Sequence, residues 1–158
     1  MLIRKAIVGD VDEIAFLAAS KRKQYEKFQP EFHKEAPDAL KNHTEFLKAS
    51  FEKENIVILV GENESKKIEG FVIGSLVSAP PVYAPGGKIF FVDDFMVRDS
   101  NLWPTLGKEM LEKAIQRGRE KGAVLANVVC GPRDLPKKEM LEKIGFDIAS
   151  EWNVKSIR

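Results

Sequence analysis

Two patterns of apolar residues alternate along this sequence, and they predict strands and helices in turn. Short apolar or alternating runs bounded by turn residues predict strands, whereas apolar residues that recur every three or four positions predict helices. The predicted strands are Leu2–Ile7, Asn55–Gly61, Ile68–Ala79, Lys88–Val97, Ala123–Cys130 and Phe146–Ile157. The predicted helices run from Asp10 to about Lys23, onward from about Asp38, over Pro104–Lys121, and from Asp134 to Lys143.

The stretch from Lys88 to Ala126 organises the rest of the chain. It contains a buried strand, a polar turn, an amphipathic helix and a second buried strand. Two buried strands joined by a helix predict a parallel crossover unit. Such a unit brings a loop and a helix N-terminus to one end of the sheet, where ligands bind in many folds. We therefore expect a binding site at that end.

Local signals set the limits of several elements. Asp10 and Glu13 have the spacing of a capping box at the start of the first helix. Prolines and glycines make Pro80–Gly87 a loop, and Gly145 ends the last helix, whose apolar side comprises Leu135, Met140, Leu141 and Ile144. The order β-α-α-β-β-β-α-β-α-β predicts an α+β fold with a mostly antiparallel sheet. No linker interrupts it, so we expect one domain over residues 1–158.

Composition narrows the classes of protein. The net charge is +1 with both signs interspersed, which gives no reason to expect nucleic acid or a membrane surface as a partner. The one cysteine excludes an internal disulfide and a cysteine-rich metal site, and the spacing of His33 and His43 is not that of a metal pair. We find no signal peptide and no apolar run long enough to span a membrane. These features predict a cytoplasmic protein without a metal site.

Two adjacent carboxylates, Asp93 and Asp94, interrupt the apolar fourth strand. Neighbouring residues of a regular strand point to opposite faces, and a buried carboxylate without a partner is costly. One of them could therefore act through water as a general base, or both could be satisfied by backbone groups and cations. Tyr83 lies in the preceding loop and has two interpretations. It could reach the expected binding site as a substrate contact or an acid, or it could only anchor the loop.

The chain resembles the GCN5-related N-acetyltransferases (GNAT family) over nearly its whole length. IRKAIVGDVDEIAFL resembles the family's opening strand and first helix. FFVDDFMVRDSNLWPTLGKEMLEKAIQRGREKGA resembles the acyl-CoA motif, and KKEMLEKIGF resembles the closing helix with its Leu-Gly-Phe-like end. The resemblance implies that the fourth and fifth strands part to hold acetyl-CoA, and it favours Asp93 as the base.

The resemblance also assigns the cofactor contacts. Pantetheine would pair with the backbone of Phe95, Met96 and Val97, while the pyrophosphate would meet the loop that carries Leu102, Thr105, Leu106, Gly107 and Lys108. The family's loop reads Gln/Arg-x-x-Gly-x-Gly/Ala, and here only Gly107 fits. The tyrosine that serves many members as general acid is replaced by Leu141. Without the resemblance, this segment would be a plain helix N-terminus.

The expected activity is transfer of an acetyl group from acetyl-CoA to a primary amine of a small molecule or a peptide. The acceptor pocket would be formed by Tyr25–Asp38, Tyr83 and the last strands. The alternative is a non-catalytic binding module that keeps the fold with a decayed acyl-CoA site. A homodimer joined through the strand Phe146–Ile157 is a further expectation.

Overall fold

The computed structural model describes residues 1–158, which form five strands and four α-helices with short helical turns between them. The strands are β1 (Leu2–Lys5), β2 (Ile56–Glu62), β3 (Ile68–Val77), β4 (Lys88–Val97) and β5 (Ala123–Val128). The helices are α1 (Val11–Phe28), α2 (Ala39–Ser50), α3 (Lys108–Glu120) and α4 (Leu135–Lys143). A 3-10 turn (Val8–Asp10) precedes α1, and a 3-10 turn (Ser100–Leu102) and a π-helical turn (Trp103–Gly107) precede α3. None of the helices is long and apolar enough to cross a membrane.

The five strands form one sheet in the order β1-β2-β3-β4-β5. The first three pairings are antiparallel, and only β4 and β5 run parallel, joined by α3. The mostly antiparallel α+β fold with one crossover is therefore confirmed.

Helices cover both faces of the sheet and bury a separate apolar cluster on each. On one face, α1 and α2 pack over β2 and β3, with Ile14, Leu47 and Phe71 fully buried. On the other face, α3, the π-helical turn and α4 pack over β4 and its neighbours, with Phe90, Phe95 and Met110 buried. The strands contribute side chains to both clusters, because alternate residues of a strand point to opposite faces of the sheet.

The first helix departs from the prediction at both ends. It continues to Phe28 rather than ending near Lys23, because Tyr25 extends its buried side and no proline occurs before Pro30. The capping box of Asp10 and Glu13 is wrong. The Asp10 carboxylate instead accepts from the backbone of Ile7 and pairs with Arg4.

The predicted last strand, Phe146–Ile157, is wrong. Residues after Lys143 form neither helix nor strand, and the side chains of Ile148, Trp152 and Ile157 are exposed. The alternating pattern is present, but a strand needs a neighbour to complete its hydrogen bonds, and no strand lies beside this segment. Its end rests on the turn after α1, where Trp152 meets Phe32 edge-on and Arg158 pairs with Glu31.

Candidate active site

The parallel strands β4 and β5 part halfway along β4. Their pairing runs from Lys88 beside Ala123 to Val92 beside Val128, and the Val129 amide donates to the Val92 carbonyl at 2.9 Å. β4 continues to Val97, still paired with β3 on its other side. One edge of β4 beyond Val92 therefore has no strand beside it, and such an edge can pair with an extended ligand.

A β-bulge lies at the same place. β3 pairs Ile73 with Asp94 and Gly74 with Val92, so Asp93 has no partner opposite it. Val92 before the bulge and Phe95 after it both pack in the cluster under α3 and α4. The alternation on which opposite faces were predicted for the two carboxylates is therefore interrupted between them.

Asp94 is held by one residue from each of the two helices on its face of the sheet. Lys21 Nζ of α1 lies 3.1 Å from Asp94 Oδ1, and His43 Nε2 of α2 lies 3.0 Å from Asp94 Oδ2. Burial by itself would raise the pKa of Asp94, but the charge of Lys21 and the hydrogen bond from His43 outweigh it and lower that pKa. Asp94 is therefore a fixed, ionised carboxylate.

Asp93 is in the opposite electrostatic situation. Its side chain faces solvent, and no cation pairs with it. The residue is exposed overall, but partial desolvation of its carboxylate, followed by the negative charge of Asp94, raises the pKa of Asp93. Two adjacent carboxylates whose environments move their pKa values apart can divide proton transfer and positioning between them.

Tyr25 of α1 connects this face to the loop after β5. Its hydroxyl donates to Asp134 Oδ2 at 3.0 Å and accepts from the Gly131 amide at 3.2 Å. Burial and the charge of Asp134 raise the pKa of Tyr25, which keeps the hydroxyl protonated. The ring also meets His33 edge-on, with 5.4 Å between centroids. This contact places the segment after α1 against the end of β5.

Lys137 fills the space between the parted strands. It is fully buried, and its Nζ donates to the Val129 carbonyl at 2.8 Å and to the Phe95 carbonyl at 3.2 Å. The amine also lies 5.1 Å from the centre of the Phe95 ring and 5.4 Å from that of Trp103. Burial, followed by the charge of Lys21, lowers the pKa of Lys137 to about 7.

A groove of about 470 Å³ opens between the segment before α3 and helix α4. This volume lies within the range of small-molecule sites, roughly 300–1,000 Å³. Lys108 at the start of α3 and Lys143 at the end of α4 both line it. Glu139 of α4 lines it too, so the two lysines outnumber the one carboxylate, and a helix N-terminus beside them adds a partial positive charge that suits an anionic group.

The loop residues expected to hold pyrophosphate are arranged for packing as well. Trp103 is buried and meets Phe95 edge-on, with 4.8 Å between ring centroids, so the indole packs under the turn. A Cβ on Gly107 would lie 2.7 Å from Trp103 Cε3, and Leu106 is buried in the same cluster. Leu102 is half-buried, whereas Thr105 and Lys108 are exposed.

The structure brings some of the predicted residues together and leaves others apart. Asp93, Asp94, Phe95, Met96 and Val97 all lie on the part of β4 that has one free edge. Tyr83 is 71% exposed and lies at the opposite end of the sheet, beside Lys121 and Gly122 at the start of β5. Tyr83 is therefore not brought together with the two carboxylates.

Sequence reasoning placed Tyr25 in the acceptor pocket but missed the other residues that complete the cluster: Lys21, His43, Asp134 and Lys137. Lys21 and Tyr25 are four residues apart on α1, which places them on one side of that helix. Lys137 precedes Met140, Leu141 and Ile144 by three, four and seven positions, the spacing of a buried helix stripe. That spacing was the available signal for a lysine that points into the protein.

No protein-family model matches this sequence, and no curated protein does. Solved structures are similar to it in fold. A mutant of the BH1408 protein from Bacillus halodurans has a TM-score of 0.86 and 19% identity, with 100% of each chain covered. A predicted acetyltransferase from Clostridium acetobutylicum, solved with acetyl-CoA, has a TM-score of 0.75 and 16% identity over 99% of this chain and 96% of that one.

A third structure is AAC(6')-Iy in complex with the bisubstrate analog CoA-S-monomethyl-acetylneamine. It has a TM-score of 0.71 and 13% identity, with 99% of this chain and 97% of that one covered. At these identities, the likenesses show a common fold. The fold expected from the resemblance to the GNAT family is thereby confirmed.

Proposed function

We propose that this protein is an N-acetyltransferase that transfers an acetyl group from acetyl-CoA to a primary amine of a small molecule or a peptide. The observation that carries the proposal is the free edge of β4 beyond Val92, with polar and titratable groups on both sides of it. The fold shared with proteins named as acetyltransferases supports it. When bound, acetyl-CoA would supply a thioester carbonyl activated toward amines.

The residues present fit acetyl-CoA in two respects. The backbone of β4 from Asp93 to Val97 offers an edge to the amide groups of a pantetheine arm, which would take the place of Lys137 at the Phe95 carbonyl. The groove between the π-helical turn and α4 offers Lys108 and Lys143 to phosphate groups. Both lysines are point charges on flexible stems, so they can contact an anion without the glycine-rich loop that this chain lacks.

Asp93 is the general base in this proposal. The raised pKa of its carboxylate lies closer to neutral pH, and a general base is more effective when its pKa lies near the working pH. Asp94 acts differently, because Lys21 and His43 hold it ionised and fixed. Asp94 positions α1 and α2 at the site, and its charge helps to raise the pKa of its neighbour. Tyr83 has no part in this assignment, since it lies at the far end of the sheet.

The acceptor amine enters from the side of α1 in this proposal. Tyr25–Asp38 approaches the end of β5 through Tyr25 and His33. The predicted contribution of a last strand is absent, and the exposed tail after Gly145 reaches the same side through Trp152. The acceptor pocket therefore consists of the α1 end and the turn that follows it.

Calorimetric titration of the protein with acetyl-CoA, and separately with free CoA, tests the proposal. We expect binding in the micromolar range, and then turnover in a screen of small amines and short peptides. Asp93→Asn should lower kcat about a hundredfold or more with little change in acetyl-CoA affinity, because proton transfer is lost and the backbone edge is kept. Asp12→Asn, an exposed position near the start of α1, is the matched control and should leave kcat unchanged.

Absence of acetyl-CoA binding up to millimolar concentration would overturn the proposal. The alternative, a non-catalytic binding module, predicts at most binding without turnover of any acceptor. The structures that share the fold do not favour it, since several are named as acetyltransferases. Full activity of the Asp93→Asn protein would contradict the base but not the activity.

We also propose that two copies associate through the outer side of β5. No strand lies beyond β5 in the sheet. Two adjacent apolar residues of β5, Val124 and Leu125, are each about half exposed. The alternating tail Phe146–Ile157 offers a strand that lacks a partner within the chain. Light scattering should give the mass of a dimer, and Leu125→Lys should shift it to that of the monomer. A monomeric wild-type protein would contradict this association.

A further inference from the structure

Lys137 is an unusual buried residue, because no carboxylate pairs with it. It is fully buried, and none of the ion pairs in the protein includes it. Removing an ammonium group from water without a counter-ion is costly. Its compensation consists of the Phe95 and Val129 carbonyls and two aromatic rings, all of which lie where β4 and β5 part. The amine therefore stands inside the candidate active site and not beside it.

Helix α4 places Lys137 close to the position where the resemblance expects a general acid. Leu141 occupies the position that the resemblance assigns to an acid, and this side chain is buried, apolar and unable to give a proton. Lys137 precedes it by one helical turn, so both residues project from the same side of α4. The N–H groups of Lys137 reach the carbonyls of both parted strands.

We propose that Lys137 is a catalytic acid, which gives a proton to the sulfur of CoA as it leaves the acetyl group. This inference rests on the proposed acetyl transfer. In the step, the acceptor nitrogen forms a C–N bond to the acetyl carbon and the C–S bond of the thioester breaks. An N–H bond of the Lys137 ammonium breaks and an S–H bond forms, so CoA departs as the neutral thiol. The attacking amine loses one proton through Asp93 to water, and the neutral Lys137 regains one from water. Protons and charge balance over the cycle.

Ligand pairing with β4 would make this proton available. An amide of a bound ligand that donates to the Phe95 carbonyl replaces Lys137 there, which frees one N–H bond of the ammonium. The Val129 carbonyl still holds the amine at 2.8 Å in the present structure. The same contact therefore keeps Lys137 at the parting of the strands while its second donor turns to the ligand.

The groups that face Lys137 set its protonation near neutral pH. Lys21 of α1 lowers its pKa, whereas Asp94 of β4 and Cys130 and Asp134 of the loop after β5 raise it. Burial is the largest influence, and the resulting pKa is about 7. An acid is most effective when its pKa lies near the working pH. Above that pH the neutral amine has no proton to give easily, so kcat should fall.

Two substitutions of Lys137 separate proton transfer from support of the strands. Lys137→Arg keeps the charge and the donors but does not release its proton at neutral pH. Lys137→Met removes both functions and remains testable if the arginine does not fit. Lys138→Met, the next residue on the same helix and partly exposed, is the matched control. Acetyl-CoA affinity, the pH profile of kcat and the titration of lysine Cε resonances by NMR are measured for each.

We expect a lysine resonance that titrates near pH 7 in the wild-type protein and is missing from both Lys137 variants. Both variants should bind acetyl-CoA within about threefold of wild type, yet lose about 10²–10⁴-fold in kcat. With an acceptor amine whose own pKa lies below 6, the wild-type kcat should fall as pH rises above 7, and this dependence should be absent from Lys137→Arg. Lys138→Met should match wild type.

A Lys137→Arg or Lys137→Met protein with wild-type kcat and an unchanged alkaline fall would overturn the role of Lys137 alone. A wild-type kcat that stays constant above pH 7, while the resonance titrates near pH 7, would do the same. A wild-type protein that binds no acetyl-CoA would overturn the proposed function, and this inference with it.

Discussion

Replacing Gly107 by alanine distinguishes two reasons for a glycine before α3. The resemblance implies that glycine lets phosphate approach the backbone. The structure offers another reason, since a Cβ at this position would lie 2.7 Å from Trp103 Cε3 and 3.4 Å from Cζ3. Backbone strain is not involved, because φ is −58° at Gly107. We therefore expect Gly107→Ala to act through the indole.

The size of the effect follows from two opposing contributions. Alanine favours a helix over glycine by about 1 kcal/mol. Overpacking a rigid core costs about 1–3 kcal/mol, and Trp103 is 5% exposed and confined by the Phe95 ring, so it cannot swing away. The net loss in free energy of unfolding should therefore be about 0–2 kcal/mol.

A double-mutant cycle with Trp103 tests whether the indole causes the loss, because the stability effect of Gly107→Ala should change sign when the indole is removed. Trp103→Leu removes the indole at a cost of about 3 kcal/mol. In that background, Gly107→Ala should stabilise the protein by up to about 1 kcal/mol, since the helix preference remains and the clash is gone. Urea unfolding followed by far-ultraviolet circular dichroism measures all four proteins without relying on tryptophan fluorescence.

Gly9→Ala is the control for this cycle, because the nearest atom to its added Cβ is Ile7 Cδ1 at 3.8 Å. It should change stability by less than about 0.5 kcal/mol. The packing explanation is refuted if Gly107→Ala is equally destabilising with and without the indole. A large loss of acetyl-CoA affinity on Gly107→Ala that persists in the Trp103→Leu background would instead support the phosphate explanation.

Two further predictions concern charges outside this turn. Because Lys137 titrates lower in the folded state than in the unfolded one, the unfolded state binds more protons between about pH 7 and 10. Wild-type stability relative to Lys137→Met should therefore rise through that window, by at most about 1.4 kcal/mol per pH unit in urea unfolding; a constant difference would contradict it. Arg4→Met should cost about 3 kcal/mol at pH 7, since Asp10 and Glu62 are nearly buried and would lose their cation. Burial would raise the pKa of Asp10, but the contact with Arg4 and the hydrogen bond from the Ile7 amide together outweigh it and lower that pKa. The wild-type advantage should therefore shrink as pH falls below about 4, and an undiminished advantage at pH 3 would show that the ion pairs are not its source.

The sheet could be predicted because its strands are long apolar runs separated by strong turn signals. Lys88–Val97 was predicted with its observed limits, and the hairpin of β2 and β3 within two residues at each end. The tail Phe146–Ile157 failed for a different reason. Its alternation is that of a strand, but alternation describes the two sides of a strand and says nothing about whether a neighbour is present.

The candidate site was only partly predictable. Asp93 and Asp94 were visible as charges inside an apolar strand, whereas Lys137 was hidden among the polar residues of α4. The predicted apolar side of that helix included Leu135, which is 58% exposed, while Lys137 is fully buried. Apolar and polar residues both occur near the start of α4, so the sequence is compatible with more than one buried side of this helix. Packing against β4 decides which side is buried.

The π-helical turn at Trp103–Gly107 bears on how this protein tolerates changes in chain length. A π-helical turn carries about one residue more than an α-helical turn needs. Loss of a residue here, for example the exposed Thr105, would convert the turn to regular helix and leave Trp103 and the buried side of α3 facing the sheet. Loss of a residue inside α3 would instead rotate everything before it by about 100° relative to Met110 and Leu111. A deletion at this turn is therefore easier to absorb than one a few residues later.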